Sequence, residues 1–339
     1  MHAGVRSFGG TCPLFGASCA NFNETTSTTS SVAAKADEDR MSSYVVVGAG
    51  PVGRETARLL VEDGHDVVLT SRNAGSISAA GLRTISADAS DPKQLATMAK
   101  GAEAIFMCAM AAYHRWPTDF FPIMDGTVKA AEAVGAKLVV LGNAYGYGEN
   151  APSPLTAALP LDPTTRKGTV RNIMWQRALA SDVPAIEVRA SDYLGQSAVT
   201  YFSLLALPSL LRGHAISFLG DLDAAHAWSF TKDTARTLVA VCRYSGAWGR
   251  AFHVPCRNAS IRELVGKFAA ALEIEAPELH RLTADELESI GFHEGVEMSY
   301  LFDKSLLIDA SDTENLLGVK ASSLEAMIRD TLPASWQAI

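Results

Sequence analysis

Little in this chain suggests metal, membrane or nucleic-acid chemistry. The five cysteines, Cys12, Cys19, Cys108, Cys242 and Cys256, form no C-x-x-C pair and have no histidine cluster nearby. That spacing excludes the usual zinc ligand sets, and the odd count argues against a disulfide framework. A reducing compartment fits best, so the cytoplasm is the expected location and no metal is expected. The longest strongly apolar stretch, Ala198 to Leu211, is interrupted by Thr200, Tyr201, Ser203 and Pro208. A membrane helix needs about 20 apolar residues, so this stretch is expected to be a buried helix. Basic residues are in deficit, with a formal net charge of -8. No basic stripe is visible, which argues against a nucleic-acid partner.

What is present is an ordinary globular composition. With 339 residues, 48% hydrophobic and 19% charged, the chain can bury one large domain or two of moderate size. Residues 1–40 stand apart: Ser and Thr cluster from Thr25 to Ser31, and no apolar period appears. They lack the apolar core of a secretory signal and the arginine content of a mitochondrial presequence. Two readings stay open. One is a disordered or plastid-type leader, which would place the protein in an organelle; the other is an upstream extension, with Met41 the true start.

The stretch YVVVGAGPVGRETARLL, Tyr44 to Leu60, organises the rest. An apolar run ends in glycines and passes into a helical pattern, giving strand, tight turn and helix. Gly48, Gly50 and Gly53 form G-x-G-x-x-G, in which the glycines serve a tight turn, close approach to a pyrophosphate, and helix-on-strand packing. The helix that begins at Pro51 and Val52 then presents the free backbone N–H groups of its first turn to phosphates, Pro51 itself having none. A dinucleotide site is expected here.

Asp66 to Thr70 reads as a second strand, followed by Ser71-Arg72-Asn73. An acid at this point would select the ribose hydroxyl of NAD, and a base the 2′-phosphate of NADP. No acid lies between Val67 and Asn73, whereas Arg72 offers a planar guanidinium with the Ser71 hydroxyl beside it. The expected cofactor is NADP(H). Leu82–Ala87 reads as strand three, followed by Asp88; Asp91, Pro92 and Gln94 start a helix that ends at Gly101. Ala104–Cys108 reads as strand four, with Ala109, Met110, Tyr113, His114, Arg115 and Trp116 in the loop after it. A helix from Thr118 to Val134 and a fifth strand, Lys137 to Leu141, follow. Such alternation implies an α/β fold with a doubly wound parallel sheet of Rossmann type. Ser260 and Glu263 form a capping box, after which Leu264, Phe268 and Leu272 share a core-facing side.

GAGPVG, Asp88 after strand three, CAMAA after strand four, NAYGYG after strand five, RASDYLG at 189–195, HAWSFTKDTA at 226–235 and WGRAFHVP at 248–255 together resemble the NAD-dependent epimerase/dehydratase family. This is the extended branch of the short-chain dehydrogenase/reductase superfamily, and the likeness spans about residues 43–332. It implies that Asp88 binds the adenine amino group, that Ala109 lies against the cofactor, and that Asp233 caps a helix. It also implies an NADP-binding domain over 41–190 with a return segment near 225–255. A smaller, mostly helical C-terminal substrate lobe would comprise 191–224 and 256–332.

Hydride-transferring members of that superfamily carry a Ser or Thr after strand five and a Tyr-x-x-x-Lys pair on the next helix. Here Asn143 stands at the hydroxyl position, and residues 163–174 contain no tyrosine, the nearest four-residue pair being Lys167 and Arg171. The chain is therefore an atypical member, and Asn143, Tyr145, Lys167 and Arg171 become the candidate catalytic set. Tyr145 is the expected acid, on the same side as Asn143 if the segment is extended, with Lys167 lowering its pKa. His114, Trp116 and Tyr193 are candidates for substrate contact; His226 and His253 are expected to be structural. The expected partner is a small-molecule substrate, and a homodimer is admitted. Two functions are expected: an NADP(H)-dependent oxidoreductase or epimerase acting on a small carbonyl, sugar or nucleotide-linked substrate, or a catalytically inactive NADP-binding regulatory or redox-sensing protein.

Overall fold

A computed structural model describes residues 41–73 and 80–333, so the expectations for residues 1–40 lie outside the described residues. Seven parallel strands make one sheet: β1 (Ser43–Val47), β2 (Asp66–Ser71), β3 (Leu82–Ser86), β4 (Ala104–Met107), β5 (Lys137–Asn143) and β6 (Ala185–Ala190) are joined by a later strand at the outer edge of β6. β7 (Asp192–Leu194), β8 (Ile216–Leu219) and β9 (His226–Phe230) come next in the chain, and that edge strand is β10 (Arg250–His253). The sheet order is β10-β6-β5-β4-β1-β2-β3. Val46 of β1 pairs with Leu69 on one side and Phe106 on the other. The strands are apolar nearly throughout because helices cover both faces. The chain order reverses between β1 and β4, which opens a crevice at the carboxyl ends of those strands.

Two helices bound that crevice. Pro51–Glu62 follows β1 and packs against Thr231–Cys242. Phe121–Val134 follows β4, and a wide π-type turn over Trp116–Phe120 precedes it in place of the regular first turn expected from Thr118. Pro117 and Pro122 supply no amide hydrogens there. Gly135, at φ +68°, ends the helix.

Beyond the sheet, β11 (Cys256–Ala259), β9 and β7 form a small three-stranded sheet, and β12 (Leu279–Leu282) pairs with β8. A second core gathers there from Phe202, Phe218, Trp228, Leu264, Phe268 and Phe302. The Ser260–Glu263 capping box is formed, and Leu264, Phe268 and Leu272 are buried on one side of Ile261–Ala271. The Ala198–Leu211 stretch departs from the single buried helix expected of it. It breaks into a π-type turn over Phe202–Ala206 and one helical turn over Leu207–Leu210, with Val199 and Leu204 exposed. Pro208 lacks the N–H that a continuous helix would use. Asp233 also departs from its expected role. Phe230 occupies the N-cap, while the Asp233 carboxylate, in the first turn, accepts hydrogen bonds from the Ser322 amide (2.6 Å) and hydroxyl (2.7 Å). It ties the C-terminal segment to this helix.

Candidate cofactor cleft and active-site junction

The three glycines after β1 differ in what surrounds them. Gly48 has φ +112°, and a Cβ on it would lie 2.5 Å from the Ala109 amide nitrogen. Gly53 packs so closely that a Cβ would lie 1.9 Å from the Gly48 carbonyl oxygen. A Cβ on Gly50 would meet nothing within 4 Å. Gly48 and Gly53 are therefore required by the protein itself, whereas Gly50 borders open space where a ligand can approach. Gly50 is the N-cap of Pro51–Glu62 and makes no side-chain cap, and Pro51 begins the helix. The amides of Val52 and Gly53 lie in the first turn, where no intrahelical acceptor exists. The Val52 side chain is buried in the core.

A cleft of about 480 Å³ runs from this loop across the sheet edge, lined by Gly48, Gly50, Ser71, Arg72, Asp88 and Ala109 among others. Arg72 is exposed, and its guanidinium makes no hydrogen bond among the described residues. The Asp88 carboxylate accepts from the Ser90 amide (2.9 Å) and hydroxyl (2.8 Å). Those bonds, aided by Arg72, hold it below the usual carboxylate range. Gln94 does not close the box on Asp91; its side-chain oxygen accepts from the Asp88 amide at 3.0 Å, while Asp91 itself caps the helix. Thr70 and Met110 also line the cleft. The Thr70 hydroxyl is buried with no partner among the described residues. The residues present thus fit a dinucleotide: bare amides and open space at Gly50, a cation at Arg72, an ionised acceptor at Asp88. No group of three or more metal-ligating side chains occurs among the described residues.

The other end of the sheet edge is a packed junction. Ala144–Tyr147 forms a 3-10 turn, capped by Asn143, whose Oδ1 accepts from the Tyr145 amide at 3.2 Å. The extended segment expected there is absent, so the two tyrosines diverge. Tyr147 turns inward and bonds to Arg189 and His253, both at 2.7 Å. Tyr145 stacks on Trp116 and reaches the Tyr113 hydroxyl at 3.3 Å, and Tyr113 in turn reaches Tyr201 at 3.0 Å. Tyr201 donates to the Glu294 carbonyl at 3.1 Å.

Lys167 does not lower the Tyr145 pKa. Its ammonium is 2.8 Å from Glu297, whose other oxygen accepts from the Lys167 amide, also at 2.8 Å. Burial raises Tyr145 well above the ordinary phenol value, neighbouring Tyr113 and Asp192 add to this, and Arg171 opposes it. Arg171 is buried beside the Trp116 and Phe120 rings, 4.5 and 4.6 Å from their centroids, and donates to the Leu141 carbonyl at 3.2 Å. Tyr193 lies near it, its pKa raised foremost by burial and pulled down by Arg171. One of the three candidate substrate contacts is placed otherwise than expected. Trp116 is fully buried and donates to the Ala111 carbonyl at 3.2 Å, and His114 points to solvent. His226 is bonded to Asp192 at 3.0 Å and stacked on Phe302, and His253 is buried behind Tyr147. The sequence places Tyr113 in the loop after β4 without giving it a role, and gives no local signal for Tyr201 or Glu297 as members of this junction.

Residues 48–204 match the family described as NAD(P)H-binding. No curated protein matches the chain in sequence. Solved structures match nearly end to end. WbmG from Bordetella bronchiseptica, in complex with NAD and UDP, is 20% identical with a TM-score of 0.70, covering 88% of this chain and 96% of that one. UDP-glucose 4-epimerase from Brucella ovis, in complex with NAD, is 17% identical with a TM-score of 0.70, covering 87% and 98%. The epimerase Mth375 from Methanothermobacter thermautotrophicus is 16% identical with a TM-score of 0.72, covering 88% and 92%.

Proposed function

For a chain that carries an NAD(P)H-binding domain and has the fold of the NAD-dependent epimerases and dehydratases of the extended short-chain dehydrogenase type, we propose an NADP(H)-dependent oxidoreductase or epimerase. Its substrate is a small carbonyl, sugar or nucleotide-linked compound held between the sheet edge and the C-terminal lobe. Arg72 carries the cofactor choice: it stands at the end of β2, lines the cleft, and no acid lies between Val67 and Asn73, where an NAD-selecting carboxylate would stand. Asp88 accepts from the adenine amino group, and the first-turn amides after Gly50 face the pyrophosphate. The nicotinamide supplies a hydride when bound.

The protein's own task is to deliver the proton. Tyr145 leads a series of three phenols, Tyr145, Tyr113 and Tyr201, whose hydroxyls lie within 3.3 Å of one another in sequence. Tyr113 donates its hydrogen to the Tyr145 oxygen, which leaves the Tyr145 hydrogen free to be given to a substrate oxygen. Burial keeps Tyr145 protonated and makes it a weaker acid than a free phenol, so it can give its proton only to an oxygen that is becoming an alkoxide. The runner-up is an NADP-binding regulatory or redox-sensing protein without turnover. The Lys167–Glu297 pair favours it, because the ammonium at that helix position is already taken. The test is NADPH consumption across a carbonyl panel together with interconversion of sugar-nucleotide epimers by the purified protein. Turnover in either assay supports the enzyme; tight NADPH binding with neither reaction supports the regulator.

A further inference from the structure

Arg171 is a buried cation with no carboxylate at ion-pair distance among the described residues, Glu187 acting on it only from further off. Its guanidinium packs beside the Trp116 and Phe120 rings, one terminal nitrogen donates to the Leu141 carbonyl, and the other approaches the Met110 sulfur at 3.6 Å. Its Nε has no partner among the described residues. The neighbouring acids are engaged elsewhere: Glu187 with Arg189 at 2.6 Å, Glu297 with Lys167 at 2.8 Å, and Asp192 with His226 at 3.0 Å. Buried charges are ordinarily paired, so this one stands out.

Its position gives it a use. Ser71, Arg72 and Asp88 mark the adenosine end of the cleft at β2 and β3, and Gly50 marks the pyrophosphate at β1. A dinucleotide crossing between β1 and β4 must then extend its nicotinamide toward β5. Arg171 lies under that end, touching Met110 of the cleft wall after β4 and Leu141 of β5. The oxidised and reduced cofactors share the adenosine, the 2′-phosphate and the pyrophosphate. They differ in the ring, which is cationic when oxidised and neutral when reduced. A fixed, poorly screened cation nearby repels only the oxidised ring.

We propose that Arg171 makes this site selective for the reduced dinucleotide, so that NADPH binds more tightly than NADP⁺ by about tenfold or more, or about 1.4 kcal/mol. The inference rests on the cofactor reading above and needs no turnover.

Calorimetric titration of the purified protein with NADPH and with NADP⁺ tests it. Arg171→Lys, which keeps the charge, should retain the gap. Arg171→Met should close it, chiefly by tightening NADP⁺, whereas simple loss of packing would weaken both forms together and leave the gap. Arg171→Gln, which can still donate to the Leu141 carbonyl, repeats the neutral variant if the methionine protein does not fold. Equal affinities in the unmodified protein, or a gap that survives in a neutral variant, overturns the proposal. Binding of neither dinucleotide overturns the cofactor reading and this inference with it. Equal binding of NAD(H) and NADP(H) removes only the 2′-phosphate part, and the comparison is then made between NADH and NAD⁺.

Discussion

The two ends of the sheet edge are built on opposite principles. At the adenosine end the groups that matter are exposed side chains and bare amides: Arg72, Asp88 and the turn at Gly50. At the junction they are buried and joined across long stretches of chain, with Tyr113 bonded to Tyr201 and Lys167 to Glu297. The first end needs only one local segment to be correct; the second needs the lobe to be docked. Substitutions at the open end should therefore act on binding alone, and those in the packed end should affect stability or chemistry as well.

The glycine loop gives the sharpest contrast because it contains both situations within four residues. Gly53→Ala puts a methyl 1.9 Å from the Gly48 carbonyl oxygen, and neither backbone can move without disturbing the start of the helix. Overpacking of this kind costs about 1–3 kcal/mol or more, so the melting temperature should fall by about 2 °C or more and NADPH binding should be lost. Gly50→Ala adds a methyl to open space, so melting should be unchanged while NADPH affinity falls about tenfold. Equal melting losses in the two variants would break the distinction. Scanning calorimetry with and without NADPH reads both effects.

At the junction, Tyr145→Phe should lower the turnover number about 100-fold, the usual scale for a general acid, and leave NADPH affinity within about twofold. Near-normal turnover would return Tyr145 to a packing role against Trp116. At the adenosine end, Arg72→Glu should reverse the NADP(H) over NAD(H) preference. Loss of a charge-assisted hydrogen bond costs about 1.5–3 kcal/mol, and melting should stay unchanged because the side chain is exposed. Equal dissociation constants for NAD(H) and NADP(H) in the unmodified protein would sink the NADP(H) reading.

The same contrast decides what the sequence reveals. The sheet, the glycine turn and Arg72 are legible because each depends on residues close together: β-branched runs, G-x-G-x-x-G, and a strand end without an acid. Strand and helix ends move by a residue or two, as at β5, which runs on to Asn143. The junction is not legible, since Lys167 meets a partner 130 positions away and Tyr113 one 88 positions away. Local periodicity cannot encode such pairings. The Ala144–Tyr147 turn is an intermediate case. Asn143 is a common capping residue, and reading it as a cap would have predicted the turn that separates Tyr145 from Tyr147.

The smallest expected effect concerns the buried network behind the junction. Glu187, Arg189, Tyr147 and His253 are bonded in series, and His253 also donates from Nδ1 to the Asp309 carbonyl at 2.9 Å. That leaves Nε2 as the acceptor for the Tyr147 hydroxyl, so the ring is neutral. Burial lowers its pKa from 6.5 to about 4, with Arg189 helping and Asp309 opposing. The unfolded chain then takes up a proton near pH 6.5 that the folded chain refuses until about pH 4. Stability from this group is complete above pH 6.5, declines as pH falls through that window, and is flat below it. At pH 5 the loss is about 2 kcal/mol, which for a chain of this size lowers the melting temperature by several degrees at most. His253→Gln has an amide that can serve Tyr147 and Asp309 but does not titrate. Its melting temperature should therefore fall less between pH 7 and pH 5 than that of the unmodified protein. Parallel declines in the two proteins would mean that His253 is not the group titrating, and the acid sensitivity would then belong to exposed carboxylates, as at the adenosine end.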